Sequence, residues 1–293
     1  MLIDLSDRAK LRVTGPDRIR FLNGQLTNDI ANLKPGTSVY TCALSAKGKL
    51  CGDLFVTPLR DALLLDYEPA LRDSMPPRLE KYLIADEVEL EDITEQFALF
   101  HVAGVTLPDA ILPEGTVTRS NRFAMDGKDL LLPATLKDVA PHLVNEVPLT
   151  DSELERFRIE QGIPRWGTEL SEEIIPNEAG LDERAISYTK GCYLGQEIIS
   201  RIKSLGHVNR HLRGVRLIEG SDLKSGDKLI VEDGKQIGAV TSADRSERFG
   251  GWVGLAYLRR GFDQPGTVYS VSRSATSSLI GSVEVRSLPF VQT

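Results

Sequence analysis

The segment "YTKGCYLGQEIISRIKSLG", residues 188–206, places Cys192 beside a lysine, in a turn directly before a run with helical spacing. The positive end of a helix dipole and the ammonium group of Lys190 would both stabilise a thiolate there. Gly191 and Gly195 would let the backbone approach a ligand closely. The spacing is equally compatible with a reactive thiol and with a structural cysteine in a tight turn. No histidine and acid are placed to make Cys192 a protease-like nucleophile.

Glu160 is a second candidate, because it lies in the last turn of a predicted helix, just before the break "GIP". The helix dipole repels a carboxylate at this end, so the position suggests that Glu160 has a partner to meet. Two adjacent N–H donors, as on a guanidinium group or a 2-amino-pyrimidinone, suit a lone carboxylate best. From position alone the favoured alternative is a salt bridge to Arg158, Arg165 or Arg184.

Asp53 and the two other cysteines are weaker candidates. Asp53 lies just inside a predicted strand, after a glycine-containing turn, with Lys47 and Lys49 nearby in the sequence. An isolated aspartate in such a place is more often a turn or edge residue than a catalytic one. Cys42 and Cys51 lie in β-rich segments, where cysteine usually acts as a small buried hydrophobic residue.

Composition limits the kinds of site and partner. Three cysteines and four histidines, without a Cys-x-x-Cys or His-Glu-x-x-His pattern, offer no zinc site or cluster ligand set from this chain, so we expect no metal site. A formal net charge of -7 does not support a large nucleic-acid footprint. No apolar run approaches membrane-spanning length. The amino terminus does not resemble a signal peptide and the cysteine count suits a reducing compartment, so we expect a cytoplasmic protein.

The elements that must position these residues follow from periodicity and breakers. Asp17 is predicted to cap a helix with an apolar stripe of Ile19, Phe21 and Leu22. Two β-rich runs flank the turn "AKG" at 46–48. Residues 70–135 have the pattern of a smaller α+β unit, with a helix near 77–84 and strands near 87–91 and 97–103.

The later part of the chain changes from helix to strand signals. Capping patterns and the "GIP" break predict a helix over residues 152–161. From about residue 208 the sequence is β-rich, with an Asp-Gly hairpin signal in "KLIVEDGKQIGAV". This pattern predicts a small barrel or sandwich.

Several segments together resemble the YgfZ family, folate-binding proteins involved in maintaining iron–sulfur enzymes. That family belongs to the superfamily of the glycine-cleavage T-protein, an aminomethyltransferase that uses tetrahydrofolate. The most specific segment is "KGCYLGQE". The others follow in the order that such proteins show: "FLNGQLTNDI" (21–30), "KGKLCGDLFV" (47–56), "RFRIEQGIPRWGTEL" (156–170), "IPNEAGLDERAISYTKGCYLGQE" (175–197) and "GLAYLRRGFDQPGT" (254–267).

The resemblance implies an α+β fold, the three-domain cloverleaf of the glycine-cleavage T-protein type. A discontinuous folate-binding core domain would comprise residues 1–69 and 136–207. Residues 70–135 would form an inserted α+β domain, and residues 208–293 a carboxyl-terminal β-barrel. Tetrahydrofolate, or a one-carbon-substituted folate, would bind at the centre.

The resemblance also implies roles for individual residues. Glu160 matches the carboxylate that binds the amino-pyrimidinone edge of the pterin. Cys192 matches the family's signature thiol, which would face the same channel and carry thiol, redox or transient ligand chemistry. Asp53 would hold the N5/N10 region of the folate or a bound one-carbon group. The other motif residues expected to contact the cofactor are Lys190, Gly191, Tyr193, Gln196 and Arg201.

Two departures separate this chain from the aminomethyltransferases. T-proteins carry their catalytic carboxylate in a Gly-Gly-x-x-Asp-Asp turn, where this chain has "KGKLCGD" with Gly52 in one acidic position. They also have a sequence closer to "KGDFIG" where this chain has "KGCYLG". Both differences favour the YgfZ family.

We therefore expect a tetrahydrofolate-binding protein that supports assembly or repair of iron–sulfur enzymes, including those that thiolate tRNA. A folate-dependent aminomethyltransferase or related one-carbon transferase is the alternative, and a non-catalytic protein-binding module is the third candidate. The expected partners are folate and, transiently, the client enzymes. We expect no stable nucleic-acid partner, no membrane partner and a monomer.

Overall fold

The computed structural model describes residues 1–105, 115–273 and 278–290. The chain divides into two compact units. The first contains Met1–Thr150, Ser171–Glu173 and Leu181–Arg201, and the second contains Asp151–Leu170, Ile174–Gly180 and Ile202–Thr293. The three-domain division stays a prediction. Within the described ranges, no helix is long and apolar enough to cross a membrane.

Strands supply most of the regular structure, and the helices are short. The strands are β1 (Leu2–Asp4), β2 (Ala9–Thr14), β3 (Val39–Leu44), β4 (Leu50–Pro58), β5 (Leu63–Tyr67), β6 (Glu89–Asp92), β7 (Phe97–Val102), β8 (Thr116–Ser120), β9 (Gly127–Pro133), β10 (Arg210–Gly220), β11 (Lys228–Ile230), β12 (Gln236–Ser246), β13 (Gly251–Arg259), β14 (Val268–Arg273) and β15 (Ser278–Arg286). The helices are α1 (Arg18–Gln25), α2 (Met75–Glu80), α3 (Ala140–Val144), α4 (Asp151–Glu160), α5 (Asp182–Ala185) and α6 (Gln196–Leu205).

The first unit contains two antiparallel sheets, of strand order β3-β4-β5-β2-β6 and β1-β7-β9-β8. The turn between β3 and β4 confirms the turn predicted at 46–48. Gly48 in this turn has a φ of +72°, and a Cβ atom there would lie 2.8 Å from the side chain of Ile198. Both features require glycine. The turn sets the register that places Asp53 on β4 opposite Cys42 on β3.

The amino-terminal helix differs from its prediction. Asp17 occupies the N-cap position of α1 but makes no side-chain capping bond. Its Oδ2 instead accepts a hydrogen bond from the backbone N–H of Glu87 at 2.9 Å, so a tertiary contact replaces the local cap. The predicted apolar stripe is also too wide, because Ile19 is 40% exposed while Phe21 and Leu22 are buried.

The segment after β5 follows its prediction more closely. The helix predicted over 77–84 is α2, which begins and ends earlier, at Met75 and Glu80. The two strands predicted near 87–91 and 97–103 correspond to β6 and β7. The helix predicted over 152–161 is α4, and Gly162, with a φ of +67°, follows its end as the sequence indicates.

The second unit combines α4 with a closed barrel of strand order β10-β13-β12-β11-β14-β15. Its predicted Asp-Gly hairpin joins β11 to β12 in an antiparallel pair, with Gly234 at a φ of +79°. Alternating apolar side chains fill the interior, since one face of each strand points inward. This core contains Val215, Leu229, Val240, Val271 and Val283. The prediction of a carboxyl-terminal barrel is confirmed.

Candidate functional site

Cys192 lies on an exposed loop of the first unit and not in the first turn of a helix. Its side chain is exposed, and α6 begins only at Gln196. A helix dipole acts mainly within the terminal turn. Because Tyr193, Leu194 and Gly195 separate the cysteine from that turn, the dipole contributes less to a thiolate here than the sequence pattern predicts.

The loop around Cys192 is held closely against the rest of the first unit. The N–H of Leu194 donates to the carbonyl oxygen of Gly24 at 3.0 Å. The side chain of Tyr193 is 7% exposed, and its burial raises the pKa of its hydroxyl. Gly195 has a φ of +86°, and a Cβ atom there would lie 2.6 Å from the carbonyl oxygen of Ser45. This glycine therefore allows close approach of the protein's own backbone.

Three other residues of the motif are accessible. Gly191 is exposed, and no atom lies within 4 Å of the position of a Cβ. Gln196 is half-buried as the first residue of α6. Arg201 forms an exposed ion pair with Glu197 at 2.9 Å, at the i,i+4 spacing that brings two side chains together on a helix. Gly191 and Gln196 stay open as cofactor contacts, whereas Arg201 would have to leave Glu197 to become one.

The ammonium group of Lys190 is bound by the protein's own backbone. Its Nζ donates hydrogen bonds of 2.6, 2.8 and 2.7 Å to the carbonyl oxygens of Asn23, Leu26 and Asn28. An ammonium group has three N–H donors, and all three are used. A contact from Lys190 to the sulfur of Cys192 or to a cofactor would require one of these bonds to break.

Asp53 lies in a buried, polar site of the first unit. The side chain is 7% exposed, and the hydroxyl of Tyr40 donates to Oδ2 at 2.9 Å. Oδ1 is buried and has no hydrogen-bond partner among the described residues. Burial raises the pKa of Asp53 to about 6, although the positive charge of Arg8 opposes this effect. A carboxyl group of this kind can accept a hydrogen bond from a ligand or exchange a proton near neutral pH.

Sequence reasoning missed Tyr40, which orients Asp53. Its ring packs against Phe55 at 4.9 Å between centroids, and the guanidinium group of Arg184 lies 5.5 Å from its centroid. Burial lowers the pKa of that guanidinium, and Tyr40 opposes the shift. The predicted turn at 46–48 carried a usable signal, because a hairpin closed there pairs β3 with β4 and places Cys42, two residues from Tyr40, opposite Asp53.

A buried chain of charged side chains was also missed. Arg122 donates to both oxygens of Asp66 at 2.9 and 2.7 Å, and its Nε lies 2.9 Å from each oxygen of Asp129. Arg8 donates to Asp66 at 2.7 Å, and Nδ1 of His101 lies 2.8 Å from Asp129. The available signal was Asp66 itself, a single acid in the apolar run "ALLLDY". This buried chain of charged side chains affects Asp53 because it positions Arg8, whose positive charge opposes the rise in the pKa of Asp53.

Gly52 occupies a position already filled by apolar neighbours. A Cβ atom there would lie 2.5 Å from Cε of Met75 and 2.8 Å from Cδ1 of Leu71. Both of these side chains are buried. A carboxylate at this position would have to displace them and would then lie against apolar atoms, which is costly for a charge.

Glu160 lies in the second unit, at the carboxyl end of α4. It is 9% exposed, and the hydroxyl of Ser246 donates to its Oε1 at 2.6 Å. That hydroxyl in turn accepts the N–H of Phe249 at 3.1 Å, which fixes its orientation. The carboxylate is therefore buried and oriented by a neutral donor.

The simpler interpretation of Glu160, a salt bridge, is wrong. Arg158 binds Glu155 at 2.6 Å and Glu169 at 2.9 Å, and Arg165 binds Glu155 at 3.0 Å. Across the described ranges, Glu160 takes part in no ion pair. Of the three arginines that the sequence offered, Arg158 and Arg165 pair with other acids, and Arg184 lies beside Tyr40.

Comparison with known proteins gives two family matches. Residues 1–112 match the GCVT N-terminal domain, and residues 210–292 match the glycine cleavage T-protein C-terminal barrel domain. Together the two matches cover more than half of the chain.

Individual relatives are similar over most of this chain. A chloroplastic protein of Arabidopsis thaliana named as a transferase is 31% identical over 89% of the chain, which spans 65% of that protein's length. The tRNA-modifying protein YgfZ of Sodalis glossinidius is 28% identical, covering 86% of this chain and 83% of its own. A mitochondrial iron–sulfur cluster assembly factor IBA57 homolog of Dictyostelium discoideum is 24% identical, covering 80% and 67%.

A solved structure has the same fold. The glycine cleavage system aminomethyltransferase T from Bartonella henselae superposes with a TM-score of 0.85 at 22% identity, covering 99% of this chain and 86% of its own. The α+β fold of the glycine-cleavage T-protein type is thereby confirmed. With the two family matches and the YgfZ relatives, the chain belongs to the YgfZ family within the glycine-cleavage T-protein superfamily.

Proposed function

We propose that this protein binds tetrahydrofolate and supports the assembly or repair of iron–sulfur enzymes, including those that thiolate tRNA. Relatives named as a tRNA-modifying protein and as an iron–sulfur cluster assembly factor support this assignment. When bound, tetrahydrofolate supplies a carrier for a one-carbon group at its reduced ring. A cytoplasmic location and a monomeric state belong to the same proposal.

The proposal that this protein binds folate rests on Glu160. It is a buried carboxylate with a neutral hydroxyl as partner, and its negative charge is not compensated by an ion pair within the described ranges. Such a group costs free energy unless further donors reach it. The pterin edge offers two adjacent N–H donors, which suit one carboxylate. Glu160 would therefore bind and orient the pterin.

Asp53 and Cys192 are the groups of the first unit that we propose for chemistry. Oδ1 of Asp53 is a buried acceptor without a described partner, so it fits a donor atom of the folate or of a one-carbon group. Cys192 is exposed, whereas Cys42 is buried and Cys51 is half-buried. It is therefore the thiol that a client protein could reach.

Gly52 argues against the alternative of an aminomethyltransferase. T-proteins resembling this chain carry an acid in the corresponding turn, whereas here Met75 and Leu71 occupy the space that its side chain would need. Apolar side chains thus fill the space in which a carboxylate at position 52 would lie. A YgfZ-type role thus agrees better with the residues than aminomethyl transfer does.

Replacing Glu160 by glutamine is expected to weaken tetrahydrofolate binding about 10- to 100-fold. Hydrogen bonds to a charged group contribute roughly 1.5–3 kcal/mol, and glutamine keeps the shape and the bond from Ser246 while losing the charge. Calorimetric titration of folate against the wild type and Glu160→Gln measures the difference. The matched control is Glu153→Gln, an exposed acid on the same helix. Equal affinity of all three proteins would remove Glu160 from the pterin site.

Replacing Gly52 by aspartate tests the transferase alternative. We expect Gly52→Asp to lose about 1–3 kcal/mol of unfolding free energy from overpacking alone, and to form no methylenetetrahydrofolate from an aminomethyl donor. Gly52→Ala is the control, since its methyl group requires only the ends of the Met75 and Leu71 side chains to shift. Urea unfolding and product assay measure the two effects. A stable Gly52→Asp protein with transferase activity would favour the aminomethyltransferase alternative.

A further inference from the structure

The segment of residues 190–195, here called the Cys192 loop, begins at a lysine with an unusual set of partners. Lys190 donates to three backbone carbonyl groups, at 2.6, 2.8 and 2.7 Å. An ammonium group has three N–H donors, and each of them is bonded to one of these three carbonyl oxygens. Its acceptors lie more than a hundred residues earlier in the sequence.

These acceptors belong to the carboxyl end of α1 and the chain that follows it. The last carbonyl groups of a helix have no partner within the helix and form the negative end of its dipole. The carbonyl of Asn23 is of this kind, whereas that of Leu26 belongs to the extended residue that directly follows the helix, and the ammonium group of Lys190 bonds to both. The third bond, to Asn28, extends the same contact into the next turn of the chain.

The protonated form that makes three bonds prevails at neutral pH. Burial lowers the pKa of Lys190 to about 8, while the carboxylate of Asp29 opposes this effect. The other titratable group that faces Lys190 within the described ranges is Tyr193, whose ring centroid lies 5.3 Å from Nζ. Burial raises the pKa of Tyr193, so its hydroxyl stays neutral.

The other end of the Cys192 loop is held independently. Leu194 donates its N–H to Gly24 at 3.0 Å, and Gly195 packs against the carbonyl of Ser45. Between these two attachments only Gly191 and Cys192 are exposed. The loop is thus fastened on both sides of the one cysteine that solvent reaches freely.

We propose that Lys190 is a positioning residue, which holds the Cys192 loop on the carboxyl end of α1 and thereby fixes where the Cys192 thiol is presented. The inference rests on the proposed function in taking Cys192 as the working thiol. It differs from the sequence interpretation, in which the charge of Lys190 acts on the sulfur or on a ligand.

Two substitutions of Lys190 distinguish its role in holding the Cys192 loop from an effect of its positive charge. Lys190→Gln removes the charge and one donor, whereas Lys190→Arg keeps the charge. The guanidinium group is planar, and its donors diverge, so it cannot direct three N–H bonds from one nitrogen to three carbonyls. If Lys190 holds the loop through its three hydrogen bonds, the Cys192 loop is loosened in both variants. If only the charge of Lys190 matters, Lys190→Arg behaves as the wild type. Lys47→Gln, at an exposed lysine of the first unit, is the matched control.

Two readouts report on the loop itself. Hydrogen exchange of the amide groups of residues 191–194 is expected to be about tenfold faster, or more, in both Lys190 variants. A nitroxide label on Cys192, in a Cys51→Ala background, is expected to change from a restricted to a mobile spectrum in both. Lys47→Gln should change neither. Unchanged exchange and label mobility in Lys190→Gln, or wild-type values in Lys190→Arg, would overturn the proposal.

The wild-type protein provides a test that needs no variant to fold. In the native protein, the three side-chain N–H protons of Lys190 should exchange with water at least about tenfold more slowly than those of Lys47, since all three are donated to carbonyl oxygens. Equal exchange rates of the two ammonium groups would also overturn the proposal. A folate titration of the wild type is independent of these readouts, so failure to bind folate would remove the proposed function and leave the result on Lys190 intact.

Discussion

Replacing Arg122 by leucine is expected to lower the free energy of unfolding by about 3–5 kcal/mol, the largest effect of any single substitution considered for this protein. Arg122 is 3% exposed and binds two buried carboxylates, those of Asp66 and Asp129, through four contacts of 2.7–2.9 Å. Its removal leaves both acids buried without the guanidinium group that neutralises them. Arg8 and His101 remain beside them, but each contacts only one of the two.

The acid dependence of this effect has a defined sign. Burial raises the pKa of Asp66, but Arg122 and then Arg8 lower it by more, so the net pKa lies below its ordinary value. In the wild type, Asp66 therefore contributes stability that is present above its unfolded pKa of about 4 and is lost as the pH falls through its folded value. Without Arg122, Asp66 can take up a proton more easily. The difference between wild type and Arg122→Leu should thus shrink between about pH 7 and pH 4.5.

Arg119→Leu is the matched control for this prediction. Arg119 also pairs with an aspartate at 2.8 Å, but it is 67% exposed and its partner Asp126 is 74% exposed. An exposed pair of this kind contributes about 0–1 kcal/mol. Urea unfolding of the three proteins at both pH values measures the two effects. If Arg122→Leu loses no more stability than Arg119→Leu, the buried chain of charges does not stabilise the fold.

Local features of the fold could be predicted because their causes lie within a few residues. The end of α4 follows from Gly162, which adopts a φ of +67°. The pair Glu197–Arg201 follows from its spacing on α6. The barrel hairpin follows from Asp233-Gly234, at which the two runs of β-forming residues turn. In each case one short segment contains both the signal and the contact.

Features that depend on distant partners could not be predicted from one sequence. The cap expected at Asp17 is absent because the carboxylate binds Glu87 instead. The position of Lys190 in its motif shows nothing of the carbonyl groups at the carboxyl end of α1 and just after it that bind it. Pairing across a sheet or between distant loops selects one partner among many of the same chemical type, and a single sequence does not contain that choice.

The two buried aspartates of neighbouring strands illustrate this limit. Asp53 and Asp66 both lie in apolar segments of similar pattern, on β4 and β5. Asp66 accepts hydrogen bonds from two arginines, whereas Asp53 accepts one from the hydroxyl of Tyr40. The other carboxylate oxygen of Asp53 has no described partner. Their pKa values accordingly shift in opposite directions. The consequence for stability can be measured.

Replacing Asp53 by asparagine is expected to raise the free energy of unfolding near pH 7.5 by up to roughly 3 kcal/mol. The folded protein binds the Asp53 proton with a pKa of about 6, above the ordinary value of 3.8. Between these values the folded state holds more protons than the unfolded state, so the contribution of Asp53 to stability falls as the pH rises through this window and stays lowered above it. Asparagine avoids the cost, since it is neutral and can still accept the hydrogen bond from Tyr40.

The gain should therefore disappear on acidification, because wild-type Asp53 is itself neutral in the folded state at about pH 4. Asp66→Asn is the opposing control, since it removes a charge that two arginines stabilise and should lower the free energy of unfolding at about pH 7.5. Thermal unfolding of the wild type and the two variants at both pH values shows whether each substitution raises or lowers the stability. A fold that retains an ionised carboxylate at a cost to its own stability indicates selection for something other than stability. If Asp53→Asn and Asp66→Asn are destabilised alike, Asp53 is a structural residue, and the role proposed for it toward a folate-bound group is withdrawn.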